Sequence, residues 1–166
     1  MTAAIGVDEA MARTEPGVSY AVARLHQRLF ASITERVAPY GLTTLQFTTL
    51  SVLSRHGAPL STSQLARRAF MTPQSMSEVI HALESKGLIK RSPHPNHRKT
   101  LPARITAKGR RVLAVCDEAV SDFEDSMLEG FSEKDRAAVL GMVTAAVRNL
   151  GGGFPSEEKP SSVRGT

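Results

Sequence analysis

Residues 60–106 read LSTSQLARRAFMTPQSMSEVIHALESKGLIKRSPHPNHRKTLPARIT, and their punctuation decides the fold. Ser61-x-x-Gln64 is a capping box, in which each side chain satisfies a free amide at a helix start, and it opens a short helix running through Ala69. Thr72 followed by Pro73 is a second start signal, threonine as N-cap and proline at the first helical position. Met76, Val79, Ile80 and Leu83 then recur at i, i+3, i+4 and i+7, so one face of this helix is buried. Gly87 ends it as a left-handed cap. Two short helices on a tight turn make a helix-turn-helix. Leu88–Arg91 and Leu101–Ile105 read as two short strands joined by the polar, proline-bearing tip Ser92–Thr100, a hairpin directly after the helix pair.

Charge is concentrated on the same stretch. Residues 61–111 carry 11 Lys and Arg against Glu78 and Glu84, a local balance of +9, while the remainder of the chain stands at −4. A basic segment inside a mildly acidic protein is the footprint expected of a phosphate-backbone binder. The competing explanation is a solvated cationic surface.

Outward from this stretch the chain reads as helices. Val22, Leu25, Leu29, Ile33 and Val37 recur at threes and fours after Val18, and Pro39, Tyr40 and Gly41 end that helix. Thr43-x-x-Gln46 opens the next, with the apolar set Leu45, Phe47, Leu50, Val52 and Leu53 and a stop at Gly57 and Pro59. Thr106 caps a long helix toward Gly130. Ser132-x-x-Asp135 caps the last, where Leu140, Val143, Val147 and Leu150 form a near-heptad seam. Residues 1–16 read as a loose arm, and 151–166, rich in Gly, Pro and Ser, as a disordered tail. The expected fold is mainly α, about six helices with a small β-hairpin wing, in a single domain over 17–150.

In a helix-turn-helix the second helix enters the major groove with its N-terminal residues nearest the bases. With Met76, Val79, Ile80 and Leu83 turned inward, Pro73, Gln74, Ser75, Ser77, Glu78 and His81 lie on or beside the outward face. Gln74 can bond an adenine edge bidentately, and Ser75 and Ser77 can bond bases or phosphates. Any surface helix carries polar residues, but few adjoin a basic hairpin. The candidate DNA-contacting set is therefore Thr72, Pro73, Gln74, Ser75, Ser77 and His81 on the second helix, Arg67 and Arg68 on the first, and Arg98 and Lys99 at the hairpin tip.

These residues carry a resemblance. GLTTLQFTTLSVL, LSTSQLARRAFMTPQSMSEVIHALESKGLIKR and HPNHRKTLPARITAKGRRVL, over roughly Gly41–Leu113, resemble the MarR-type winged helix-turn-helix repressors (multiple antibiotic resistance regulators). The resemblance implies a homodimeric, sequence-specific regulator of transcription on a pseudo-palindromic double-stranded DNA operator. It assigns 17–39 and 107–150 to dimerisation helices and 41–106 to the DNA-binding lobe. It also implies a small aromatic or phenolic effector between the two regions, for which Tyr20, His26, Phe30, Phe47 and Arg55 are candidates. The wing departs from the family pattern: where relatives often carry Asp-x-Arg, this chain has His97 and Lys99 with Arg98 between them. His97 cannot orient a cation as a carboxylate does, and Lys99 lacks the planar fork of arginine, so Arg98 is the expected deeper contact.

Other chemistries find little support. His94-x-x-His97 is the sole close histidine pair and has no Cys or carboxylate beside it, so no metal is expected. The Gly151–Gly153 run lacks the phosphate-cradling pattern, and nothing places a catalytic triad, so neither an enzyme nor a cofactor is expected. Cys116, the sole cysteine, lies on an apolar stripe with Val112, Ala119, Val120, Phe123 and Met127 and reads as a core residue. The N-terminus has neither a basic start nor an apolar run, and no segment is long enough to span a bilayer, which makes a cytoplasmic protein the expectation. The alternative function is a winged-helix module that docks proteins without specific DNA binding.

Overall fold

The computed structural model describes residues 17–93 and 101–151. Six α-helices and one hairpin follow the expected order: α1 (Val18–Val37), a 3-10 turn (Ala38–Tyr40), α2 (Thr44–His56), α3 (Thr62–Arg68), α4 (Pro73–Ser85), β1 (Ile89–Arg91), β2 (Ala103–Ile105), α5 (Ala107–Met127) and α6 (Glu133–Asn149). The caps behave as the sequence implies. Thr43, Ser61 and Ser132 each complete a reciprocal capping box, and Thr72 and Thr106 accept from the amides three residues on.

One core serves the helix-turn-helix and the hairpin together. Leu50, Leu60, Leu65, Met76, Ile80, Leu83 and Ile89 are almost fully buried. Thr49 is buried among them because its hydroxyl donates to the Leu45 carbonyl at 2.8 Å, which satisfies its polar atom within its own helix.

The junction of α4 and the hairpin is a Schellman ending. Gly87, at φ 69°, lets its own amide reach Glu84 O (2.9 Å) and the Leu88 amide reach Leu83 O (3.0 Å). Leu88 is thereby engaged in the cap, and the strand begins one residue later than the sequence suggests. β1 pairs antiparallel with β2 in the register Ile89↔Ile105, Lys90↔Arg104, Arg91↔Ala103. On the other side of β2, Leu60 exchanges two backbone hydrogen bonds with Ala103, at 3.0 and 2.7 Å. This additional bridge ties the start of the helix-turn-helix to the wing.

The outer helices leave much of their apolar faces uncovered. Of the predicted face of α1, Val37 is fully buried and Ile33 and Leu29 partly so, whereas Leu25 and Val22 remain 44% and 57% exposed. In α6 no residue is buried; Leu140 is 69% and Val143 49% exposed. Both helices are long and regular, yet their apolar faces run beyond the surface that one chain offers them.

Candidate nucleic-acid interface

The second helix of the helix-turn-helix, α4, is oriented by its apolar stripe. Met76, Ile80 and Leu83 sink into the core, leaving Pro73, Gln74, Ser75, Ser77, Glu78 and His81 exposed. Thr72 holds the first turn: its Oγ1 accepts from the Ser75 amide at 3.1 Å and donates to Ser75 Oγ at 2.9 Å. That leaves the Ser75 hydroxyl proton free to donate outward. Ser77 donates its hydroxyl to the Pro73 carbonyl at 2.9 Å and keeps its lone pairs for an incoming donor. The outward row thus offers an amide, one donor-ready and one acceptor-ready hydroxyl, and an imidazole.

The C-terminal end of α4 is clamped by cations. Lys86 Nζ donates to Gly41 O (2.6 Å) and Gln46 Oε1 (2.8 Å), binding α4 to the start of α2. Lys108 Nζ donates to the Lys86 carbonyl at 2.9 Å, a cation on the negative end of the helix. Arg91 pairs with Glu84 at 2.7 Å, and this bond holds the Glu84 carboxyl below the usual value of 4.5. Lys86, Arg91 and Lys108 therefore hold α4 in place. The signal for this role was the position of Lys86 and Lys108 around a helix end, which spacing alone does not connect to Gly41.

Two cations of the hairpin face solvent. Lys90 and Arg104 are exposed and directly opposite one another on the hairpin, a like-charge pair that an anion would relieve. Arg67 is exposed at the end of α3. Arg68 is half-buried and turns instead toward a cleft among α1, α2, α3 and α5. Arg98 and Lys99, with His97, lie outside the described residues.

That cleft encloses about 430 Å³. Phe47, Val52, Ile33 and Val120 give it apolar lining, and Arg55, Arg68, Asp117 and Glu124 give it charged lining of both signs. Ser51 Oγ is buried in its wall with no hydrogen-bond partner. Desolvation raises the Asp117 carboxyl above its ordinary value, with Arg55 opposing the shift. Phe47 and Arg55, two of the five effector candidates, line the cleft. Tyr20, His26 and Phe30 do not; they lie exposed along α1, the His26 and Phe30 rings 6.3 Å apart. The sequence reading missed Asp117, Val120, Ser121 and Glu124, whose i, i+3, i+4, i+7 spacing on α5 was the available signal.

Cys116 is fully buried, and burial, aided by the Asp117 charge, pushes its thiol up to about 11. Among the described residues no cluster of three or more His, Cys, Asp or Glu could hold a metal ion, and no helix is long and apolar enough to cross a membrane.

Comparison with known proteins adds to this geometry. Residues 40–100 match the family model described as the MarR family. The HTH-type transcriptional repressor Rv2887 of Mycobacterium tuberculosis strain H37Rv is 37% identical over 103 residues, 62% of this chain and 73% of the relative. The transcriptional repressor CouR, bound to a 23-mer DNA duplex, superimposes with a TM-score of 0.74 at 28% identity, covering 83% of this chain and 97% of that one. Wild-type apo MarR from E. coli shares the fold at a TM-score of 0.70 and 17% identity, over 80% of this chain and 98% of that one.

Proposed function

Because the chain belongs to the MarR family, we propose that it is a sequence-specific, double-stranded DNA-binding transcriptional regulator acting as an effector-responsive homodimeric repressor. The observation that carries this reading is α4. It is capped, clamped at its far end, and presents Gln74, Ser75, Ser77 and His81 outward in a strongly basic segment. Gln74 reads an adenine edge, Ser75 and Ser77 complete the row, and Thr72 and Pro73 set its start. Arg67 and the wing-tip Arg98 and Lys99 bind phosphates or the adjacent minor groove. The cross-strand pair Lys90 and Arg104 adds a further phosphate contact.

The exposed apolar faces of α1 and α6 support the dimer, since large apolar faces left in water favour association. The cleft beside Phe47 and Arg55 supports an effector site. It adjoins both the helix-turn-helix, through α2 and α3, and the α1/α5 layer, so a ligand preferring one lobe spacing shifts the DNA affinity. Apolar lining with Arg55 and Arg68 among it suits an aromatic acid or phenol. In this reading the protein acts in the cytoplasm, where the chromosomal DNA is, and works by binding rather than by catalysis.

The test is fluorescence anisotropy with the DNA flanking the protein's own gene, random-duplex competitor and several salt concentrations. Tight binding that survives competitor and weakens steeply with salt supports the reading. No DNA binding even at low salt overturns it in favour of a protein-docking module.

A further inference from the structure

The turn between α3 and α4 contains a residue in an unfavourable backbone state. Phe70 has φ 54°, and every other described residue with positive φ is a glycine. The Phe70 amide donates to Arg67 O at 3.4 Å and the Met71 amide to Ala66 O at 2.8 Å. These are the two bonds of a Schellman ending, whose left-handed position costs least with glycine because a β-carbon there crowds the following carbonyl. Phe70 bears that cost without packing in return. Its side chain is 78% exposed, while the neighbouring Met71 packs against the core. It also lies on neither α1 nor α6, the helices whose apolar faces a second copy would cover. Two residues further on stands Thr72, the N-cap of α4.

We propose that Phe70 is a specificity-determining contact, its ring packing against a thymine 5-methyl group at the edge of the major-groove site read by α4. Thymine is the base that presents an apolar group in that groove, and an aromatic ring is a suitable partner for it. The placement fits: an exposed aromatic ring immediately ahead of the recognition row, with the exposed cation Arg67 three residues before it for the adjoining phosphate. The inference rests on the DNA-reading function proposed above.

The test uses the full-length protein, its Phe70→Gly variant, and a duplex that the wild-type protein selects from a random-sequence library. Glycine suits the turn, so Phe70→Gly is expected to melt at a higher temperature. It is also expected to bind the selected duplex about tenfold more weakly and a random duplex unchanged. Replacing thymines one at a time by deoxyuridine, which lacks the methyl, should identify one position where the wild type loses about fourfold and Phe70→Gly loses nothing. Equal affinity of the two proteins for the selected duplex overturns the inference and leaves the DNA-reading function intact. Equal weakening on selected and random duplexes also overturns it, since that is a backbone contact. A wild-type protein that selects no sequence removes the DNA-reading function and this inference with it.

Discussion

Gly109, in the first turn of α5, lies directly against the Leu88 backbone: a β-carbon built on it would overlap the Leu88 carbonyl oxygen and come within 2.9 Å of Ile105 Cγ1. The same carbonyl accepts from the Thr106 amide at 3.0 Å and from Thr106 Oγ1 at 3.1 Å. Thr106 Oγ1 in turn accepts from the Gly109 amide at 3.0 Å. Helix α5 therefore crosses the chain at the point where α4 passes into the hairpin, and a side chain at 109 would push the two apart.

Gly109→Ala should accordingly destabilise the protein by about 1–3 kcal/mol, despite alanine's better helix propensity, because the obstacle is backbone rather than a movable side chain. Urea unfolding followed by circular dichroism checks it. An unchanged or raised midpoint would show that the crossing yields.

Gln74→Ala should leave stability within about 0.5 kcal/mol, since Gln74 is exposed. It should relax discrimination at one adenine by about 1–3 kcal/mol. Arg98→Ala should instead weaken operator binding and lower the salt slope by about one. Competition binding against single-base variants of the operator separates the two. Undiminished discrimination in the Gln74 variant would remove it from the reading set.

The Glu84–Arg91 pair gives a pH prediction. The Arg91 hydrogen bond holds the folded carboxyl below 4.5, so its stabilisation is present above pH 4.5 and is lost as pH falls through the folded value. Glu84→Gln should be less stable than wild type at pH 7 by under about 1 kcal/mol, the pair being partly exposed. The gap should close in acid. A difference independent of pH would point to packing rather than charge.

Cys116 should be inert in the native protein. With its thiol pushed up to about 11 by burial, well under about one in a thousand is thiolate at pH 7.5. A disulfide reagent such as DTNB should react only after denaturation. Rapid reaction of the folded protein would mean that α5 opens or that the thiol is a sensor.

Leu140 and Val143 test the assembly. Both are exposed on α6, so Leu140→Asp with Val143→Asp should cost the isolated chain little while placing charge in an apolar dimer seam. Light scattering should report a shift toward monomer. A variant that stays dimeric would locate the interface elsewhere.

The local elements were legible because their causes are local. A hydroxyl three residues before a free amide, a proline at a first turn and a glycine at a left-handed position act over four or five residues. Thus Thr43, Ser61, Thr72, Thr106, Ser132 and Gly87 marked the boundaries almost to the residue. The inward stripe of α4, and with it the outward row from Gln74 to His81, followed from helical period alone.

What the tertiary structure decided depends on partners distant in sequence. In the sequence Lys86 and Lys108 are simply two charges of the basic segment 61–111, and 45 and 22 residues separate them from the carbonyls they hold at Gly41 and Lys86. Arg68 shared a motif with Arg67, and the rotation of about 100° between consecutive helical residues sends it to the cleft instead. Leu60 became an additional bridge of the wing because Ala103 passes beside it. Periodicity states which side of a helix is apolar; it cannot state what covers that side, and α1 and α6 therefore matched their predicted stripes while leaving much of them in water. A short-range rule fixes a helix and its ends, whereas burial and ion pairing are properties of surfaces that meet only when the chain has closed on itself.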